Sequence, residues 1–246
     1  PLLFGAWVLL FWELLTQGFD VPKVLLPAPT VVWASLLQGA PTLLGDFQQT
    51  VLHSVLIGLA LGSGLGFGVG VLIDRSPFLQ RGLLPVAALA STVPLVGVAP
   101  IMVMWFGFDW HSKAAVVVVM TFFPMLVNTL AGLAASGHME RDLMRSYGAG
   151  YWRTLFSLRI PVALPFIFNA LKINSTLALI GAIVAEFFGS PVSGLGFRIS
   201  TEAARLNMGL VWAAIVVAAV AGSLLYAALE WVERRSTFWH PSIRVG

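Results

Sequence analysis

Five stretches of this chain, residues 51–73, 82–106, 114–136, 162–188 and 209–231, are apolar runs long enough to cross a bilayer, which takes about 20 mostly apolar residues as a helix. A backbone in lipid must satisfy its own N–H and C=O groups, so such runs fold as helices and not as isolated strands. A sixth run, residues 2–16 ("LLFGAWVLLFWELLT"), is shorter and reads as a first span whose beginning is cut off. The expectation is an all-α, polytopic membrane protein with six transmembrane helices, forming one transmembrane domain over residues 1–246. The chain opens at Pro1 without a methionine or a signal-peptide pattern, so its natural N-terminus is expected upstream. Composition agrees with a bilayer: 10% of residues are charged, against about a quarter in a soluble domain. The absence of cysteine excludes disulfides and thiolate metal sites. A net charge of +3 without a basic run argues against a nucleic-acid partner.

Orientation follows from lysine and arginine, because positively charged loops stay in the cytoplasm. One set of loops holds Arg75, Arg81, Arg141, Arg145, Arg153, Arg159, Arg234, Arg235 and Arg244, the other Lys23, Lys113, Arg198 and Arg205. The first set, with the loop 138–160 and the C-terminus, is therefore expected on the cytoplasmic side. Burying Arg141, Arg145, Arg153 and Arg159 at mid-bilayer would cost roughly 2.5 to 3.5 kcal/mol each, so this segment lies outside the hydrocarbon. Between spans one and two, "VPKVLLPAPTVVWASLLQG" reads as an extended piece and a short amphipathic helix with Thr30 as N-cap, either lying at the outer interface or forming an ordinary surface loop.

Within the spans, Gly58, Gly62, Gly66 and Gly70 recur every fourth residue, the spacing that lets two helices approach closely in lipid. Pro85, Pro94 and Pro100 kink span three. Beside them Ser91 and Thr92 either line a path or bond back to their own helix. Asn169, Lys172 and Thr176 form one polar stripe on span five. Together with Asn128 of span four they complete the candidate path residues. Lys172 either faces the bundle interior or a subunit interface, or snorkels to the cytoplasmic end. Glu186 and Glu13 are expected near membrane interfaces.

Catalytic signatures are missing. There is no GxxxxGK[ST] to cradle nucleotide phosphates and no HExxH, and His53, His111, His138 and His240 are scattered. The "GSG" at 62–64 is no serine-protease site, since His53 lies ten residues from Ser63, about 15 Å along a helix. The chain is expected to be no enzyme and to hold no cofactor or metal of its own.

The stretch 144–165, "MRSYGAGYWRTLFSLRIPVALP", carries several polar groups between two apolar runs. "DLMRSY" suits a short helix, with Asp142 near its start, Arg145 towards its end and Gly148 as its stop. "YWRTLFSLR" suits a second helix, after which Pro161 starts the next span. Two short helices meeting at a glycine corner suit either a soluble partner or a solvated loop.

At these residues the chain resembles the membrane subunits of bacterial binding-protein-dependent ABC importers. That family's cytoplasmic signature is Glu-Ala-Ala, three residues, Gly, nine residues, then Ile-x-Leu-Pro. Here Gly148 and Pro161 keep the spacing, while Asp142, Leu143 and Met144 replace the opening triplet. "VPLVGVAPIMVMWFGFDWHSK", "FFPMLVNTLAGL", "LPFIFNALKINSTLALIGAIVAEFF" and "GLGFRI" are similar to the nitrate, sulfonate and taurine branch, so the likeness covers roughly residues 25–235. The resemblance implies a cell-inner-membrane permease with a second permease copy, two cytoplasmic ATPase subunits that bind ATP and Mg, and an external solute-binding protein. It implies a coupling helix between spans four and five, Asp142, Leu143, Met144, Arg145, Ser146, Tyr147 and Gly148, with Ala149, Trp152 and Arg153 as neighbouring contacts. The solute would be a sulfonate, taurine, nitrate, or a pyrimidine- or riboflavin-like molecule. The rival reading is a secondary transporter driven by an ion gradient, which predicts inverted repeats and ionisable residues at the midplane; only Lys172 approaches that depth.

Overall fold

The computed structural model describes residues 2–76, 78–82, 95–189 and 192–238, and no strand occurs among them. In chain order the helices are α1 (Leu2–Gly18), α2 (Pro29–Gln38), α3 (Ala40–Arg75), α4 (Leu95–Phe106), α5 (Trp110–Ala134), α6 (His138–Ser146), α7 (Tyr151–Phe188), α8 (Leu195–Ala204) and α9 (Met208–Ser236). Four of these, α3, α5, α7 and α9, are long and apolar enough to cross a membrane; α1 and α4 are shorter apolar helices. Ser91 and Thr92, Pro85, Pro94 and most of the third predicted span lie outside the described residues.

The glycine ladder sets the centre of the bundle. A Cβ on Gly58 would meet Val117, on Gly62 Thr121 and the Val118 carbonyl, on Gly66 the Phe122 carbonyl oxygen at 2.5 Å, and on Gly70 Thr129. The intervening Gly64 and Gly68 face open space. Only the every-fourth set touches α5, as helix periodicity requires. The contacts rise together along both helices, so α3 and α5 run parallel. Against them α7 runs antiparallel: Gly132 meets Ala163 and Phe166, and Gly181 meets Met120. The same reading of contacts places Glu233 of α9 beside Lys172, and Trp12 of α1 on Trp212 at the start of α9. On α4, Ala99 packs with Val116 and Ala185, and Val103 lies near Gly189. The apolar helices α3, α4, α5, α7 and α9 therefore alternate in direction.

Several boundaries differ from the sequence reading. The helix read as 51–73 starts at Ala40, and its Gln48–Leu56 portion is wound as π-helix. The polar Asp46 and Thr50 in this added portion are buried and hydrogen-bonded. Thr30 is not an N-cap. Ala28 holds that position and Pro29 takes the first helical one, where its missing N–H costs nothing. The Thr30 backbone N–H and hydroxyl both donate to Glu13, at 3.0 and 2.7 Å. Nor does Pro161 begin a helix: α7 is continuous from Tyr151, and Leu155–Arg159 widens into a π-turn. A wider turn eases the clash between a proline ring and the carbonyl four residues back.

Replacing Gly66 by alanine should lower the stability of the detergent-solubilised protein by about 1–3 kcal/mol, the usual cost of overpacking, whereas Gly64→Ala should leave it unchanged. Thermal unfolding of the two variants side by side measures the difference.

Candidate functional site

Polar side chains gather at the two ends of the bundle. At the end where α3 and α5 stop, Asp74 receives a fork of two 2.7 Å hydrogen bonds from the Arg159 guanidinium, which also donates to the Leu133 carbonyl. Tyr151 adds its hydroxyl to Asp74 at 3.0 Å. The paired geometry and the extra donors are what an ion pair so little exposed requires. This cluster binds the start of α7 to the ends of α3 and α5.

Beyond it projects α6. The Gly137 N–H is accepted by Glu140 at 3.0 Å, so the acidic residue of the first turn is Glu140. Asp142, expected near the helix start, sits in its middle, because the helix begins at His138. The far end closes as a Schellman motif: the Gly148 N–H donates to Arg145 and the Ala149 N–H to Met144. This needs a left-handed residue at Gly148, whose φ is +69°. No residue of α6 is buried. Met139, Leu143 and Tyr147, four residues apart, form an apolar stripe exposed by 85%, 56% and 78%. On the opposite face Arg141 donates to the carbonyls of Ala134 and Ser136 at the end of α5. The helix is thus held by its arginine face and offers its apolar face outward. Met144, Arg145, Ser146, Ala149 and Arg153 lie in the same projection, with Trp152 on the first turn of α7, its ring 5.4 Å from the Arg75 guanidinium.

At the opposite end, Glu186, two residues from the end of α7, is buried within the bundle. It accepts from the Thr50 hydroxyl at 2.7 Å and the Gly196 N–H at 2.6 Å. Asp46 accepts from the Gly194 N–H at 2.8 Å and from Arg198 at 2.7 Å. Lys113, fully buried, donates to the carbonyls of Phe108 and Gly189. Outside the apolar segment, the Trp110 N–H and then the Gln49 amide hold the Asp109 carboxyl below its ordinary range. Together these bonds fold the segment before α8 onto the ends of α3 and α7.

Among the described residues, the candidate path positions Asn128, Asn169, Lys172 and Thr176 do not line one cavity together. Asn169 and Thr176 are exposed on α7, Lys172 pairs with Glu233 of α9 at 2.7 Å, and the Asn128 amide donates to its own helix at Pro124, 2.8 Å away. The buried polar crossing is instead Asn174, whose amide donates to Ser63 of α3 and to the Thr121 carbonyl of α5. Its signal was present in the small residues Ala170, Ala178, Ala182 and Ala185 at helical spacing around it, which mark the face that α7 turns to its neighbours.

A projection held by its arginine face and apolar on the other is thus carried by a bundle of helices long and apolar enough to cross a membrane. Residues 62–238 match the family described as the binding-protein-dependent transport system inner membrane component. The chain belongs to that family. It is 30% identical to a probable ABC transporter permease protein of Haemophilus influenzae, over 96% of this chain and 95% of that one. It is 31% identical to the formylaminopyrimidine transport permease protein ThiX of Halalkalibacterium halodurans, over 97% and 95%. To the taurine transport system permease protein TauC of Escherichia coli the identity is 29%, over 95% and 86%. The protein is a transport-system permease, consistent with a non-enzymatic role, and a gradient-driven secondary transporter is not favoured.

Removing Asp74 strands the Arg159 charge, so Asp74→Ala should destabilise the permease by about 3–5 kcal/mol, with Asp74→Ala/Arg159→Met recovering part of the loss. Denaturation of the single and double variants in the same detergent checks the ordering.

Proposed function

We propose that this chain is the six-span permease of an ABC importer, working as a dimer and passing a small anion or polar organic solute inward by alternating access. A separate ATPase dimer, which binds ATP and Mg, would drive it through α6. The observation that carries the reading is the exposed stripe of Met139, Leu143 and Tyr147 on a helix anchored by its other face. An apolar patch held clear of its own chain marks a surface for a partner. Asp142, Arg145, Ser146, Gly148, Ala149, Trp152 and Arg153 would frame that contact.

The six-span count is supported by helix direction. Because α3 and α5 run parallel, one crossing would lie between them, and α4 runs opposite to both. With loops 138–160 and 234–235 on one side and Lys23, Lys113, Arg198 and Arg205 on the other, the positive-inside rule puts α6 in the cytoplasm. An external solute-binding protein would then meet the opposite end.

Motion of α6 would be delivered across the membrane by α7. That helix is unbroken from Tyr151 to Phe188, about 57 Å at 1.5 Å per residue, and ends on the Glu186 network. Asn169 and Thr176, exposed at membrane depth on the same helix, face either the second permease copy or the solute. Ser91, Thr92, Asn128 and Lys172 complete the proposed path. The relatives named for taurine, sulfonates, bicarbonate, formylaminopyrimidine and riboflavin support a small polar or anionic solute.

Gly148→Val puts a β-branched residue at a left-handed position and should unseat the corner of α6. Solute uptake and solute-stimulated ATPase activity in reconstituted vesicles should each fall about tenfold or more, an effect of roughly 1–2 kcal/mol on the seated geometry, while membrane insertion persists. Unchanged uptake would overturn the coupling role. So would labelling of an engineered cysteine at position 147 from the external side only.

A further inference from the structure

Between α6 and the first turns of α7 lies a cavity of about 290 Å³ lined by Arg141, Arg145, Ala149, Tyr151, Thr154 and Arg159. We infer that this cavity binds the phosphate of an anionic phospholipid headgroup.

Three guanidinium groups border one small space, and two of them, Arg141 and Arg145, are not covered by a carboxylate. Asp74 is committed to Arg159 in its two-bond fork. Asp142 reaches Arg145 only at 3.4 Å, with both side chains well exposed. Among the described residues Arg141 pairs with no carboxylate; it donates to the carbonyls of Ala134 and Ser136 and keeps the rest of its fork. Five arginines of this region, 75, 141, 145, 153 and 159, stand against the carboxylates of Asp74, Glu140 and Asp142. A planar guanidinium with unused donors is matched by phosphate oxygens, which accept two parallel bonds.

Depth and direction choose the source of that phosphate. The cavity abuts Asp74 and Arg159 immediately beyond Ile73 and Leu133, the last buried apolar residues of α3 and α5, so it stands where hydrocarbon gives way to headgroups. Trp152 and Phe156 are exposed beside it and stacked, with centroids 6.2 Å apart, the kind of aromatic pair that sits at a membrane interface. Arg141 and Arg145 are four residues apart on the face of α6 turned back to the bundle, opposite Met139, Leu143 and Tyr147. This step rests on the proposed docking, in which the ATPase sits on the apolar stripe and Arg145 and Ala149 lie only at the rim of that contact: the inner side of the cavity, against Arg141 and Arg159, stays open to a lipid at the bilayer edge. Basic cavities at the cytoplasmic ends of membrane helices suit anionic headgroups.

The test is native mass spectrometry of the intact permease in a neutral detergent, titrated with dioleoylphosphatidylglycerol, with dioleoylphosphatidylcholine, and with millimolar inorganic phosphate as competitor. Phosphatidylglycerol should be retained in preference to phosphatidylcholine, phosphate should not displace it, and each arginine removed should weaken it about fivefold. Arg145→Gln is the first variant, since its exposed side chain makes no bond on which folding depends; Arg141→Gln/Arg145→Gln is the second. Equal retention of the two lipids, or undiminished phosphatidylglycerol binding in Arg145→Gln and in a correctly folded double variant, overturns the inference. Displacement by phosphate overturns the lipid source in favour of a soluble anion. Co-purification of the ATPase with a Leu143→Asp variant is read separately: its persistence counts against the docking reading, and the lipid titration of that same variant shows whether the cavity stands without it.

Discussion

In a bilayer nothing expels one apolar helix onto another, so α3, α5 and α7 hold together only where their surfaces come within van der Waals reach. The glycine ladder on α3 supplies that reach along one side of α5, and the small residues of α7 supply it along the other. Asn174, bonded to Ser63 and to the Thr121 carbonyl, sits where the three helices meet and sets their register by a polar contact that lipid cannot replace. The remaining helices lean on this core: α4 on α5 and α7, α9 on α7 and α8, and α2 on the start of α9.

From that core follows the way the two ends are joined. The buried ion pair of Asp74 with Arg159 makes the start of α7 one body with the ends of α3 and α5, and the Glu186, Thr50 and Asp46 network does the same at its far end. Between these two anchors α7 is one continuous helix, the element through which the proposed motion of α6 would be carried. The π-turn at Leu155–Arg159 and the proline beyond it lie just past the corner of α6.

Family membership and the local geometry complement each other. Kinship over nearly the whole chain says that the protein is the membrane component of a transport system, while the described residues show an apolar stripe held outward by arginines.

Apolar length, the arginine asymmetry between alternate loops and the every-fourth glycines were legible in the residues, since each is a local or periodic property: enough for an all-helical membrane chain, the close-packed face of α3 and the projection around Gly148. Where polar residues interrupt an apolar run, only the fold decides their place. Lys113 and Glu186 were read as lying in a loop and near an interface because a charge alone in lipid is costly; with Asp46 and Thr50 they are buried because residues as far as 152 positions apart supply one another's hydrogen bonds. The start of α2 at Pro29 and the continuity of α7 through Pro161 were hidden for the same reason. Periodicity records which face of a helix is apolar, but the partner that satisfies a polar group lies elsewhere in the chain and is found only when the tertiary structure brings the two together.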